Sequence, residues 1–398
     1  MSRHVSTRLR FYLASALLAA AVTPFVPADA EAQACPGTTL PSALLRPMGI
    51  AASNQGNLIV SETGTFAAHS GRISILSTGG GRRTLIDGLP SGISDVNEPA
   101  GPAGIVMRGR TLYVLIGIGD SVLASPIPTR NLPNPFVSSP IYSSVLAIQF
   151  SANVEKTTAG FTMSTADQQT LADGGRVILS NGRGDTIEIE LVADFPDYVP
   201  EPLPGNPEIV RGSNPYALAL ADNRLYVTDG GRNLVWDVDL ATGTFSVLTT
   251  FPQTANPVPG FAPMIDAVPT GIAYVDGELL VTLFRGVPFP ATSTVMRVDP
   301  STGAQSPLIS GLKTAIDIAR SDLAGTGGYL VLQHSSGPAP FFGGPGVLLA
   351  FASPFAAAQT LADCLTRPTT MWVDERSGVV YVAELLSGRI VALGIGQD

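Results

Sequence analysis

The chain has few of the residues that usually announce chemistry. Its 398 residues include three His, two Cys and only two Lys, Lys156 and Lys313. No Gly-x-Ser-x-Gly elbow, His-Glu-x-x-His helix, phosphate-binding glycine loop or Cys-x-x-Cys pair occurs. That excludes the usual signatures of serine hydrolases, zinc proteases, nucleotide sites and thiol redox sites. Charged residues are sparse, at 14%, and the formal net charge is −9. Such a chain repels phosphate backbones, which argues against nucleic acid as a partner. Beyond Val22 no apolar run approaches the roughly 20 residues needed to cross a bilayer, so no membrane span is expected.

The N-terminal segment reads as a secretory signal. Arg3, Arg8 and Arg10 precede an apolar run from Phe11 to Val22, and small-x-small signals follow at Ala28-Asp-Ala30, Ala30-Glu-Ala32 and Ala32-Gln-Ala34. That order predicts a signal peptide over residues 1–34 and a secreted or periplasmic product, residues 35–398, as a single domain. Export removes three Arg and two acids, leaving 20 basic against 30 acidic residues.

What the chain has in quantity is turn residues and short apolar strands. Gly and Pro total 75, spread evenly in a sequence that is 45% hydrophobic, which fits turn-rich all-β structure rather than disorder. One phrase recurs six times: Asn57-Leu-Ile-Val-Ser-Glu62, Thr111-Leu-Tyr-Val-Leu-Ile116, Arg224-Leu-Tyr-Val-Thr-Asp229, Glu278-Leu-Leu-Val-Thr-Leu283, Gly328-Tyr-Leu-Val-Leu-Gln333 and Val379-Val-Tyr-Val-Ala-Glu384. Four of the five gaps between its valines are 50–54 residues, the period of propeller blades. A small strand, often Pro-x-Gly-Ile, precedes each phrase, as crowding about a central channel requires. The predicted fold is an all-β, six-bladed β-propeller of four-stranded blades.

The outlying gap, 113 residues from Val114 to Val227, has two readings, a seventh blade or an insertion. No Pro-x-Gly-Ile strand lies between 151 and 211, which favours six blades with an insertion in blade two at about 151–190. Ser143–Phe150 is expected as that blade's third strand, and Ile187–Ala193 either as its fourth or as part of a long hairpin with Arg176–Leu179. Between them Ser164–Ala172 reads as a short helix capped by Ser164. Asp239-Leu-Ala-Thr-Gly243 and Asp299-Pro-Ser-Thr-Gly303 are read as hairpin turns, with too few ligand oxygens for calcium loops.

Loops leaving the second strands should gather at the channel mouth, bringing Glu62, Asp120, Asp229, Arg232, Asn233, Arg285, His334 and Glu384. In this alignment the residues following the valines are Glu62, Ile116, Asp229, Leu283, His334 and Glu384. Glu62, Asp229, Asn233 and Glu384 are the candidates for holding a divalent cation such as calcium, which would polarise a lactone or ester carbonyl. His334 is the candidate general base. The plainer reading is that such acids solvate loops and cap turns. The mouth would then hold a small molecule or an extracytoplasmic protein, with no cofactor required.

Cys35 and Cys364 form an even pair in an exported chain, one ahead of the first blade and the other just before the last. They are expected to form a disulfide clipping the ring's ends; the alternative is two free thiols or a lipidated Cys35.

Ser213-Asn-Pro-Tyr-Ala-Leu218, Arg224-Leu-Tyr-Val-Thr-Asp-Gly-Gly-Arg-Asn233, Val268-Pro-Thr-Gly-Ile-Ala273 and the Gly286-Val-Pro-Phe-Pro290 loop resemble the ScyD/ScyE family of exported bacterial propellers. So does Leu112-Tyr-Val-Leu-Ile-Gly117 after Gly101-Pro102. The resemblance spans nearly all of residues 35–398 and implies a shape related to NHL-repeat, gluconolactonase-like and strictosidine-synthase-like propellers. It brings no catalytic set with it. The chain departs from the family at its long insertion and at Leu283-Phe284-Arg285, where the family often has an acid.

Overall fold

The repeated phrase becomes the second strand of a sheet of four or five strands each time. The computed structural model describes residues 37–395 apart from 41–42, 78, 80, 128–129, 158 and 325–326. The proposed signal segment and Cys35 therefore lie outside the described residues. Sheet one runs Pro47–Ala52, Leu58–Glu62, Gly71–Leu76 and Arg82–Leu89, each strand antiparallel to the one before it. Sheets three, four and five repeat this plan from Pro215, Pro269 and Ala315. Sheet six is built from Pro368–Asp374, Val379–Glu384 and Arg389–Gly394, and its outer strand is Thr38–Leu40 from the other end of the chain. The first and last parts of the described chain are thus joined in one ladder.

Sheet two has Pro102–Arg108, Thr111–Ile116, Ser144–Phe150 and Thr186–Asp194, with Val177–Ser180 as a fifth strand. The expected hairpin and helix are both present. Helix Thr165–Ala172 starts at a capping box in which Ser164 and Asp167 serve each other's backbone N–H. The extra residues are not confined to 151–190. The hairpin of Val122–Ala124 with Asn131–Pro133 joins the hairpin of Tyr198–Pro200 with Val210–Gly212 through Asn131 and Val210 in a further sheet, drawn from both sides of sheet two's outer strands. The Asp239 and Asp299 turns are hairpin connections: each carboxylate accepts from the N–H groups two and three residues on.

The inner strands meet in cyclic order. The strand at Pro47 packs on those at Pro102 and Pro368, and Pro215, Pro269 and Ala315 complete the circuit. Small residues permit this approach. A Cβ on Gly49 would lie 2.7 Å from the Ala103 carbonyl oxygen, and one on Gly271 would lie 2.5 Å from the Asp317 Cα. Between neighbouring sheets lie separate apolar wedges. Ile59 and Ile73 face sheet two, whereas Leu58 and Val60 face sheet six, as the two-residue period of a strand demands. The six aligned valines are all 0% exposed.

Candidate functional site

The acids at the ends of the second strands are structural. Glu62 is fully buried and accepts from the Ser74 hydroxyl at 2.5 Å and the Leu45 N–H, while Arg72 lies 2.7 Å away. Glu384 repeats the arrangement in sheet six, accepting from Thr366 N–H at 2.6 Å, Ser387 Oγ at 2.7 Å and Arg389 Nε at 2.5 Å. Asp229 takes Asn214 N–H at 2.8 Å, Arg232 N–H at 3.0 Å and Trp236 Nε1–H at 3.2 Å, besides the Ser213 hydroxyl. Each carboxylate ties its own sheet to the lead-in one or two residues before the inner strand. That lead-in has N–H groups with no ladder partner, and a buried donor left unpaired is costly.

The strand register corrects the alignment at the fifth repeat. Ala315 pairs with Gln333, as Pro47 pairs with Glu62 and Pro368 with Glu384. Gln333 accepts from Lys313 N–H at 2.7 Å and is the true equivalent; His334 is one residue further on. A one-residue shift turns a side chain to the other face, so His334 has a different environment. It is 8% exposed, packed edge-on against Phe284 and Phe342, and its Nδ1 lies 2.9 Å from the Pro368 carbonyl oxygen. A carbonyl only accepts, so Nδ1 carries the proton. Burial and the nearby Arg367 push its pKa down to about 4, against the pull of the Pro368 bond. A neutral ring held in this way is poorly suited to take up a proton near pH 7.

The remaining candidates are scattered. Asn233 donates to Asp266 at 2.7 Å and accepts from Val268 N–H at 2.9 Å, stitching sheet three to the lead-in of sheet four. Arg232 lies over the Trp236 ring at 5.0 Å, and Arg285 donates to the Thr292 carbonyl at 3.0 Å. Asp120 accepts from Ser138 N–H at 3.0 Å. Among the described residues no group of three or more His, Cys, Asp or Glu side chains is placed to hold a metal. Glu62, Asp229 and Glu384 belong to three different sheets and already hold donors, so this set does not fit a cation site.

The structure places a cavity elsewhere at the mouth. It has a volume of about 450 Å³ and is walled by residues adjoining the predicted ones, including Thr63, Gly230, Gly231, Gly286 and Leu385. Ile118, Val210, Val268 and Phe289 make much of the wall apolar. Six of its charged groups are paired, Arg46 with Glu98, Arg130 with Glu201 at 3.5 Å and Arg211 with Asp266 at 2.8 Å, while Asp95 accepts from the Asn131 amide at 2.6 Å. Burial opposes ionisation of Asp266, but Arg211, Gln253 and Asn233 hold its pKa below the usual carboxylate value. Thr63 is 4% exposed, and its hydroxyl has no hydrogen-bond partner among the described residues. The segments at Ser94–Gly101, Arg130–Asn131 and Val210–Gly212 were not singled out from sequence because they follow no repeat.

Tyr216 and Met48 line both this cavity and a smaller one of about 150 Å³ inside the channel. Asp317 lies in the smaller cavity, accepting from Met371 N–H at 2.8 Å and Thr370 Oγ1 at 2.9 Å. Burial outweighs these bonds and raises its pKa to about 6.

A ring of antiparallel four-stranded sheets closed by its first strand defines the β-propeller class. No protein-family model matches the chain, and no curated protein matches it. Solved structures similar to it include a PQQ-bound aldose sugar dehydrogenase from Streptomyces coelicolor, 15% identical over 92% of this chain and 99% of that one, with a TM-score of 0.49. A gluconolactonase from Xanthomonas campestris is 10% identical over 90% and 88% of the two chains, TM-score 0.48. A streptogramin B lyase is 14% identical over 91% and 97%, TM-score 0.46. Among the described residues no helix is long and apolar enough to cross a membrane.

Proposed function

We propose that this chain is an exported, ScyD/ScyE-like, six-bladed propeller that binds a small molecule at its channel mouth. The cyclic contacts of the inner strands support six blades, with the residues between Ile116 and Pro215 that lie outside the four main strands of sheet two as an insertion in blade two. The single observation that carries the binding reading is the mouth cavity. It has a largely apolar wall and a buried Thr63 hydroxyl that finds no partner among the described residues. Concave, mainly apolar sites with a few converging polar groups are the usual form of ligand pockets.

The secretory signal over residues 1–34 and a Cys35–Cys364 disulfide complete the proposal, and place the protein outside the cytoplasm. A metal-assisted lactonase draws less support, since the carboxylates it needs are engaged in their own sheets. The test is a thermal-denaturation screen of small molecules against the wild type and Ala100→Trp, which fills the cavity from its wall. Ligands that stabilise the wild type and not the variant are expected. Ligands that stabilise both equally would place the site elsewhere.

A further inference from the structure

Most charged groups lining the mouth cavity are paired, but two cations in the lead-ins to sheets five and six are not. Lys313 lies just ahead of sheet five and Arg367 just ahead of sheet six. Lys313 is 6% exposed, and its enclosed Nζ has no hydrogen-bond partner among the described residues. The Arg367 guanidinium donates only to carbonyl oxygens, those of Phe342 at 2.8 Å and Gly344 at 3.2 Å. Among the described residues neither joins an ion pair. Burial, and then the nearness of Arg367, lower the Lys313 pKa. In a chain with a formal net charge of −9, two neighbouring cations without an acid stand out. A buried ammonium without a counter-charge is destabilising until an anion joins it.

Aromatic rings connect this pair to the mouth. The Arg367 guanidinium carbon lies 5.5 Å from the centre of the Phe342 ring. Phe342 in turn stacks at 4.2 Å on Phe289, a wall residue of the cavity. We propose that Lys313 and Arg367 receive the acidic head of an organic anion whose apolar body lies against Phe289 in the mouth. This rests on the mouth being a small-molecule site. Guanidinium and ammonium groups together suit a carboxylate or a comparable oxyanion.

The experiment compares octanoate with octan-1-ol by isothermal titration calorimetry, since the two share an apolar chain and differ in the head. Octanoate is expected to bind the wild type at least about tenfold more tightly, the order of a charge-assisted bond. The preference should vanish in Lys313→Met and survive in Lys313→Arg. If Lys313→Met does not fold, Arg367→Leu makes the same comparison. Equal binding of both compounds, abolished by Ala100→Trp, overturns the anion assignment and leaves the mouth site standing. A preference for octanoate that Lys313→Met leaves intact overturns the assignment of these two residues. Failure of the wild type to bind either compound also overturns the anion assignment; the mouth site is then judged by the wider screen.

Discussion

The phenol of Tyr216, on the inner strand of sheet three, donates to the carbonyl oxygen of Thr369, on the inner strand of sheet six, at 3.0 Å. In the cyclic order of contacts these strands stand opposite each other. A single side chain therefore crosses the channel, and it lines both the mouth cavity and the Asp317 cavity. Tyr216→Phe should cost about 1 kcal/mol, the usual worth of one hydrogen bond. Tyr216→Ala should cost about 3–5 kcal/mol through lost packing. Urea denaturation would check both, and a Tyr216→Ala protein as stable as the wild type would show that the crossing contributes nothing.

Glu62 and Glu384 are predicted to be stability residues. Truncation of either to Ala leaves a lead-in N–H unpaired and a partly exposed arginine, Arg72 or Arg389, without its acid, at a cost of about 1–3 kcal/mol. Asp120→Ala, at a half-buried loop position, should cost far less. Equilibrium unfolding of the three variants would settle the ranking, and equal losses would contradict it.

Asp317 and His334 should tilt stability with pH in opposite directions. The folded chain raises the Asp317 pKa from 3.8 to about 6. Its contribution is therefore intact below 3.8 and lost as pH rises through about 6. Asp317→Asn should accordingly gain on the wild type as pH rises across that window. A constant offset between the two proteins would contradict the shift.

For His334 the folded pKa falls from 6.5 to about 4, so its contribution is present above 6.5 and lost as pH falls through about 4. Imidazole NMR should show a neutral ring protonated on Nδ1 at pH 6. A midpoint near the ordinary histidine value would contradict the burial argument.

Cys364 lies in the outer strand of sheet five, Gln359–Leu365. Thiol titration of the unfolded, unreduced exported protein should find no free thiol if Cys35 and Cys364 are joined. Two titrating thiols would rule the bond out.

The sequence made the ring legible because a strand's core face repeats. Val60, Val114, Val227, Val281, Val331 and Val382 occupy one position in six sheets, and the Pro-x-Gly-Ile strands line the channel. The roles of the polar residues were harder to read. Glu62 and Glu384 looked like mouth residues because their bonding partners precede the inner strand, many positions back in the chain. His334 was placed one residue out of register, where Gln333 belongs. The cavity wall is built from Thr63, Leu385 and the irregular segments around Glu98, Arg130 and Arg211, for which no periodicity exists to guide a reading.

The central claim is that the mouth cavity, rather than the strand-end carboxylates, holds the ligand. The most direct measurement is calorimetric affinity of a screened ligand for wild type, Ala100→Trp and Glu384→Gln, each confirmed to be folded. Binding lost in Ala100→Trp and kept in Glu384→Gln is the predicted result. Binding kept in Ala100→Trp and lost in a folded Glu384→Gln would contradict it.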